Sequence, residues 1–277
     1  MKTENIEQAI SDLASSVLHS VPKSLRDSIL YSLLGGGKRI RPRMVITAGD
    51  APALSRETSN RLATALEMIH TYTLIHDDLP AMDNDDYRRG KLTNHKVFGE
   101  ARAVLAGDSL ALAAFDLLTP LNSLESVQAL LEAAGARGVI AGQVAEIELR
   151  ESKSPTLEEL FEVFRLKTGA LFKAALLLPV LNSSHSKDQA LRDAVSLLGD
   201  SFGIAFQIAD DLEDDFAQKK SDAAHLAAYL SQADSRLKAE EILGASFAHI
   251  ERIHPALAKA LEPFMNELSQ KIMGTSE

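Results

Sequence analysis

Two acidic clusters are the residues best suited to chemistry in this chain. They are Asp77-Asp78-Leu79-Pro80-Ala81-Met82-Asp83 and Asp210-Asp211-Leu212-Glu213-Asp214, and each follows an apolar run with helical spacing. Adjacent carboxylates repel one another unless a cation or several donors neutralise them. All-oxygen ligands favour magnesium over zinc. Magnesium keeps much of its water and commonly bridges a few carboxylates to a substrate's phosphates. The two clusters therefore predict two walls of one pocket that grips a phosphate-bearing ligand, against the plainer reading of two solvated helix ends. Asp210 and Asp214 stand four apart and are expected on one helical face. Pro80 ends the first helix and leaves Asp83 on the turn beyond it.

A phosphate ligand also needs donors. Gly35-Gly36-Gly37-Lys38-Arg39-Ile40-Arg41-Pro42 is a helix stop followed by three basic residues in four positions. Glycine permits close backbone approach, and the planar arginine fork suits phosphate oxygens. Taken alone, the segment reads as a glycine helix cap with exposed charges. Arg88-Arg89-Gly90 begins five residues after Asp83, Lys167-Thr168-Gly169 interrupts a helical stretch, and Gln207 lies one turn before Asp210. Gly107-Asp108-Ser109-Leu110 spells a hydrolase signature. It sits inside a helical run with no strand before it, so Ser109 reads as a packed helical serine.

The elements that must position these residues read as helices. Of 277 residues 45% are hydrophobic and only 5% aromatic, enough for a substantial core built from Ala and Leu. Residues 58–79 place Leu62, Ala65, Leu66, Ile69 and Thr73 on one helical face. Similar patterns cover 97–118, 124–149, 156–180, 187–214 and 222–250, punctuated by Gly35–Gly37, Pro52, Pro80, Pro120, Pro155 and Asn182–Ser184. Ala170–Leu181 is apolar on nearly every side, which predicts a place at the centre of a bundle. No repeat and no linker divides the chain, so one all-α domain over 1–277, a large helical bundle, is expected. The net charge of -10 argues against nucleic acid and anionic membranes as partners. With no cysteine, disulfides and thiolate chemistry are excluded. The N-terminus lacks the apolar core of a signal peptide, and no run approaching about 20 apolar residues is evident, so no membrane span and a cytoplasmic location are expected.

The chain resembles the trans-prenyltransferase family, specifically its bacterial farnesyl diphosphate synthases. The resemblance is carried in order by GGGKRIRP at 35–42, HTYTLIHDDLPAMDNDDYRRG at 70–90, FGEARAVLAGDSL at 98–110, GQVAE at 142–146, KTG at 167–169 and FQIADDLED at 206–214. It implies a bundle of the isoprenoid synthase type with a central cavity, magnesium as cofactor (three ions with bound diphosphate) and a homodimer. Asp77, Asp78 and Asp83 would hold metal from one side, and Asp210, Asp211 and Asp214 from the other. Arg88, Lys167, Thr168 and Gln207 would contact the allylic diphosphate or the ions. Lys38, Arg41, His70 and Arg89 would bind isopentenyl diphosphate.

The implied reaction is ionisation of the allylic diphosphate, attack by the double bond of isopentenyl diphosphate, and proton loss to pyrophosphate. Tyr72 lies five residues before Asp77, about 7.5 Å along a helix, and with Thr73 would set chain length at C15. Geranyl and geranylgeranyl diphosphate synthases are the neighbouring alternatives. The chain departs from the family pattern in three places. Glu146 stands where aspartate is common and Phe164 where histidine is common. The loop after Asp214 also lacks the usual glycine–lysine segment, for which Lys219 or Lys220 would have to substitute. That loss keeps open a regulatory synthase subunit. GGGKRIRP and RRG speak against a terpene cyclase, which needs no isopentenyl subsite.

Overall fold

The computed structural model describes residues 3–274. In chain order its helices are α1 (Thr3–Val17), α2 (Lys23–Leu33), α3 (Ile40–Asp50), α4 (Arg56–Asp77), α5 (Asn94–Phe98), α6 (Glu100–Leu118), α7 (Leu124–Ala134), α8 (Val139–Glu151), α9 (Leu157–Phe164), α10 (Ala170–Leu181), α11 (Gln189–Glu213), α12 (Gln232–Ile253) and α13 (Pro255–Met273). The all-α expectation holds apart from one hairpin of two-residue strands, β1 (Tyr87–Arg88) and β2 (Lys91–Leu92). Its turn residues Arg89 and Gly90 have φ of 53° and 74°, the geometry that matches strand twist.

Packing groups the residues into two compact units. One runs to Ile46 and resumes over Leu54–Val127; the other comprises Thr47–Ala53 and everything from Gln128 onward. In the first, α4 is the axis. Ser55 caps it by accepting the Thr58 N–H at 3.1 Å, and Leu62, Ala65, Leu66 and Ile69 are fully buried. Helix α6 packs on α4; its buried residues include the small Ala103, Ala106 and Gly107, the last against His76 of α4. The stretch Glu100–Leu121 has mean hydropathy 1.5 and is only 33% buried. By length and composition alone it could cross a membrane, but it is not the uninterrupted apolar run that a span was expected to need. It carries Glu100, Arg102, Asp108 and Asp116, and its remaining apolar face, Leu105 and Leu112, points outward.

In the second unit α10 is buried around its circumference, as its composition predicts. Phe172 packs against Phe202 and Phe206 of α11, with ring centroids 4.8 and 5.4 Å away; each such side chain contributes about 1.5–3 kcal/mol of burial. Between α9 and α10 the helix does not stop but widens into a π-turn, Arg165–Gly169. A capping box of Thr156 and Glu159 starts α9.

Two expected boundaries differ. The stretch 124–149 is not one helix, because Gly135 and Gly138 part α7 from α8. Residues 222–231 are not helical at their expected register. They hold one short 3-10 turn, Leu226–Ala228, and α12 starts only behind Ser231, which accepts the Asp234 N–H. The sequence reading missed α13, which Pro255 opens at its first turn and Gly274 closes at φ 70°.

Candidate active site

In the first unit, Asp77 is the last residue of α4 and Asp78 its C-cap. Asp83 returns over the turn, its N–H donating to the Asp77 carbonyl at 2.8 Å. Carboxylates here oppose the helix dipole, whose negative end already faces them, at a cost of about 0.3–1 kcal/mol each. Asp78 is buried, and burial raises its pKa although Arg88 counteracts this. Arg88, set by β1, donates from Nε to Asp78 Oδ1 at 2.5 Å and from Nη2 to Asp85 Oδ2 at 3.1 Å.

The basic residues divide into two kinds. Arg39 turns inward at φ 49° and is buried, donating to both carboxylate oxygens of Glu7 (2.6 and 3.0 Å), to Glu67 and to the Leu33 carbonyl at 2.7 Å. It is a clamp, not a ligand donor. Arg41 and Arg89 gather with His70. Arg41 Nη1 lies 3.5 Å from His70 Nε2, and Arg89 donates to the Gly36 carbonyl. Burial first, then the fields of Arg41, Arg89, Arg39 and Arg88, hold His70 well below its usual pKa, so the imidazole is neutral. Lys38 is exposed beside this group in sequence.

Tyr72 and Thr73 lie on the buried side of α4. The Tyr72 ring meets His76 edge-on, with centroids 5.7 Å apart, and burial followed by the Asp77 charge pushes its phenol up to about 12. His76 Nε2 is 3.1 Å from the Val104 carbonyl, in space left by Gly107, where a Cβ would sit 2.1 Å from that nitrogen.

In the second unit the π-turn supplies Lys167 and Thr168. A continuous polar relay runs from it: Thr168 Oγ1 donates to Gln207 Oε1 at 3.1 Å, and Gln207 Nε2 donates to Asp211 Oδ1 at 3.0 Å. Asp211 Oδ2 accepts the Leu226 N–H at 2.8 Å. Asp211 is buried, and burial raises its pKa against those two hydrogen bonds. Gly203 lets α11 approach the π-turn, since a Cβ there would lie 2.3 Å from Gly169 Cα. Lys167 is held by Glu146, which also pairs with Arg150 at 3.0 Å.

Asp210 lies in the last turn of α11, but Asp214 does not share its helical face. The helix ends at Glu213, and Asp214 is the extended C-cap, 3.8 Å from His225 Nε2. Neither lysine weighed for the loop is the cation on Asp210: Lys219 and Lys220 lie in the 3-10 turn Gln218–Ser221. That cation is Lys271 of α13, which pairs with Asp210 and stands 3.3 Å from Glu213 Oε2. Sequence reading missed it, because 61 residues separate the partners.

Among the described residues no three carboxylates or imidazoles already converge on one metal-sized point. The donor chemistry nevertheless fits a hard cation. Each acidic helix end already bears one positive group, Arg88 on Asp78 and Lys271 on Asp210 and Glu213.

The polyprenyl synthetase family profile matches residues 22–236. A farnesyl diphosphate synthase of Micrococcus luteus is 44% identical over 201 residues, 71% of this chain and 68% of that protein. Among solved structures, a geranyltransferase from Legionella pneumophila superposes with TM-score 0.86 at 31% identity, covering 99% of this chain and 96% of the other. A geranyltranstransferase from Thermotoga maritima gives 0.83 at 32%, covering 99% and 98%. The fold is that of the isoprenoid synthases, and the chain belongs to the polyprenyl synthetase family.

Proposed function

We propose that this chain joins isopentenyl diphosphate to dimethylallyl or geranyl diphosphate, releasing pyrophosphate and giving mainly farnesyl diphosphate. The observation that carries this is the pair of acidic helix ends, each already holding a side-chain cation. Family membership and the 44% identical farnesyl diphosphate synthase support it. In this reading the chain is one catalytic domain over 1–277, and the reaction needs both acidic sets.

Asp77, Asp83, Asp210 and Asp214 carry the less buried carboxylates that would hold magnesium, three ions with bound diphosphate. Asp78 and Asp211, tied to Arg88 and to Gln207 and Leu226, stand behind them and fix the helix ends. Magnesium, when bound, supplies the positive charge that makes pyrophosphate a good leaving group. Arg88 and Lys167 donate to the oxygens that gain charge as the allylic C–O bond breaks. Thr168 and Gln207, locked in their relay, turn oxygen dipoles toward the allylic cation. Arg41, Arg89, Lys38 and neutral His70 hold the diphosphate of isopentenyl diphosphate, whose double bond forms the new C–C bond. The proton lost from the adduct passes to pyrophosphate, so His70 is not needed as a base.

Tyr72 blocks growth beyond C15, with Thr73 beside it. A second copy of the chain covers Leu105 and Leu112. Leu112→Asp should sediment as a monomer where the parent is a dimer, and an unchanged dimer would remove that face from the interface. Incubation with magnesium, labelled isopentenyl diphosphate and each allylic starter tests the main reading. It predicts C15 from both C5 and C10 starters; no condensation by the chain alone would favour a regulatory subunit, and mainly C20 would refute the product assignment.

A further inference from the structure

Lys271 has an unusual position for a lysine. Its side chain is 11% exposed, its ammonium is bound to Asp210 Oδ1 and lies 3.3 Å from Glu213 Oε2, and it sits 4.9 Å from the centroid of Phe206. Three residues of one helix end thus converge on it. That end is where α11 accumulates Asp210, Asp211 and Glu213 against its own dipole. An ammonium and a hydrated magnesium ion cannot occupy the same face of Asp210 Oδ1. Metal entry on that oxygen must therefore displace Lys271, whose ammonium, tethered to α13, keeps only Glu213 and is left able to take a further acceptor.

We propose that Lys271 is a built-in counter-cation of the second acidic set, which holds Asp210 in the metal-free enzyme and transfers to the substrate's diphosphate when magnesium arrives. This rests on the reading of Asp210 as a metal ligand given above. Two consequences follow. Magnesium binds Asp210 weakly until a diphosphate offers Lys271 phosphate oxygens, so metal and diphosphate enter together. In addition, Lys271 brings from α13 the mobile positive charge that the shortened loop after Asp214 does not supply. Lys271 is a positioning residue in the metal-free state, and its flexible four-carbon stem makes the exchange possible.

The test is calorimetric titration of magnesium into the substrate-free full chain. Lys271→Met keeps the apolar stem over Phe206 and removes the charge; Lys271→Arg keeps the charge; Lys259→Met, an exposed site on the same helix, controls for net charge. Lys271→Met should bind magnesium about tenfold more tightly than the parent, the worth of one charge-assisted hydrogen bond. Lys271→Arg should stay near the parent and Lys259→Met should change little. Saturating inorganic pyrophosphate should tighten magnesium binding to the parent more than to Lys271→Met. The metal-free Lys271→Met chain should also melt lower than the parent and recover more on adding magnesium, a readout independent of turnover. Should Met not fold, Lys271→Gln takes its place. Equal magnesium affinities in Lys271→Met, Lys259→Met and parent, with Asp210→Asn still weakening binding, would overturn the role of Lys271 alone. If Asp210→Asn leaves magnesium binding intact, the metal reading of the second set itself fails.

Discussion

Gly203→Ala probes the contact on which the relay depends. The new Cβ would lie 2.3 Å from Gly169 Cα and 2.6 Å from Gly169 N, both backbone atoms that cannot rotate aside. Ordinary contact begins near 3.4 Å, so α11 and the π-turn must separate by about 1 Å. The Thr168–Gln207 hydrogen bond is already 3.1 Å, and that movement takes it out of range. Overpacking costs about 1–3 kcal/mol and the lost bond about 0.5–1.5, so a destabilisation of about 2–4 kcal/mol is expected. Displacing Thr168 and Gln207 by about 1 Å should also lower kcat about 100-fold. Urea unfolding and steady-state product formation measure both. Gly244→Ala is the control. Nothing lies within 4 Å of its Cβ in α12, so it should gain about 0.5–1 kcal/mol of helix propensity with unchanged kcat. If Gly203→Ala matches its parent within about 0.5 kcal/mol and turns over normally, the close approach is not what holds the relay.

Tyr72→Ala should shift products beyond C15. Gly107→Ala should do so more weakly, by pushing His76 off the Val104 carbonyl and away from the Tyr72 ring; chromatographic sizing that finds only C15 from both removes Tyr72 as the floor. Because the folded pKa of His70 lies below its unfolded value, the unfolded chain binds the extra proton. Stability should therefore fall as pH drops below about 6.5, by up to about 1.4 kcal/mol per unit. His70→Asn should flatten that part of the profile in denaturant unfolding across pH 4–8, and an unchanged slope would assign it elsewhere.

Local features of the site were legible because their signals are short-range. Paired aspartates after apolar runs, Pro80 as a stop, and the all-round apolar Ala170–Leu181 need no partner to be read. Errors arose where a long-range contact decides. Arg39 looked like part of a basic anion-binding loop, yet Glu7 and Glu67, 32 and 28 residues away, draw it inside. Lys271 gave no sign of pairing with Asp210. The π-turn left a trace only as an interruption at Lys167–Gly169, since one extra residue in a turn hardly alters apolar spacing. Other misses had unused local signals. Gly135 and Gly138 mark the break after α7, and Ser231 three residues before Asp234 marks the start of α12.

The central claim is that the magnesium-assisted departure of pyrophosphate needs both acidic sets. Pyrophosphate release from geranyl and isopentenyl diphosphates, measured for Asp77→Asn, Asp210→Asn and the double variant, tests it most directly. Each single change should cut the rate by about 100-fold or more, and the double should fall little below the worse single, as groups that act as a unit do. Losses that multiply in the double variant, or full release from either single, would contradict it.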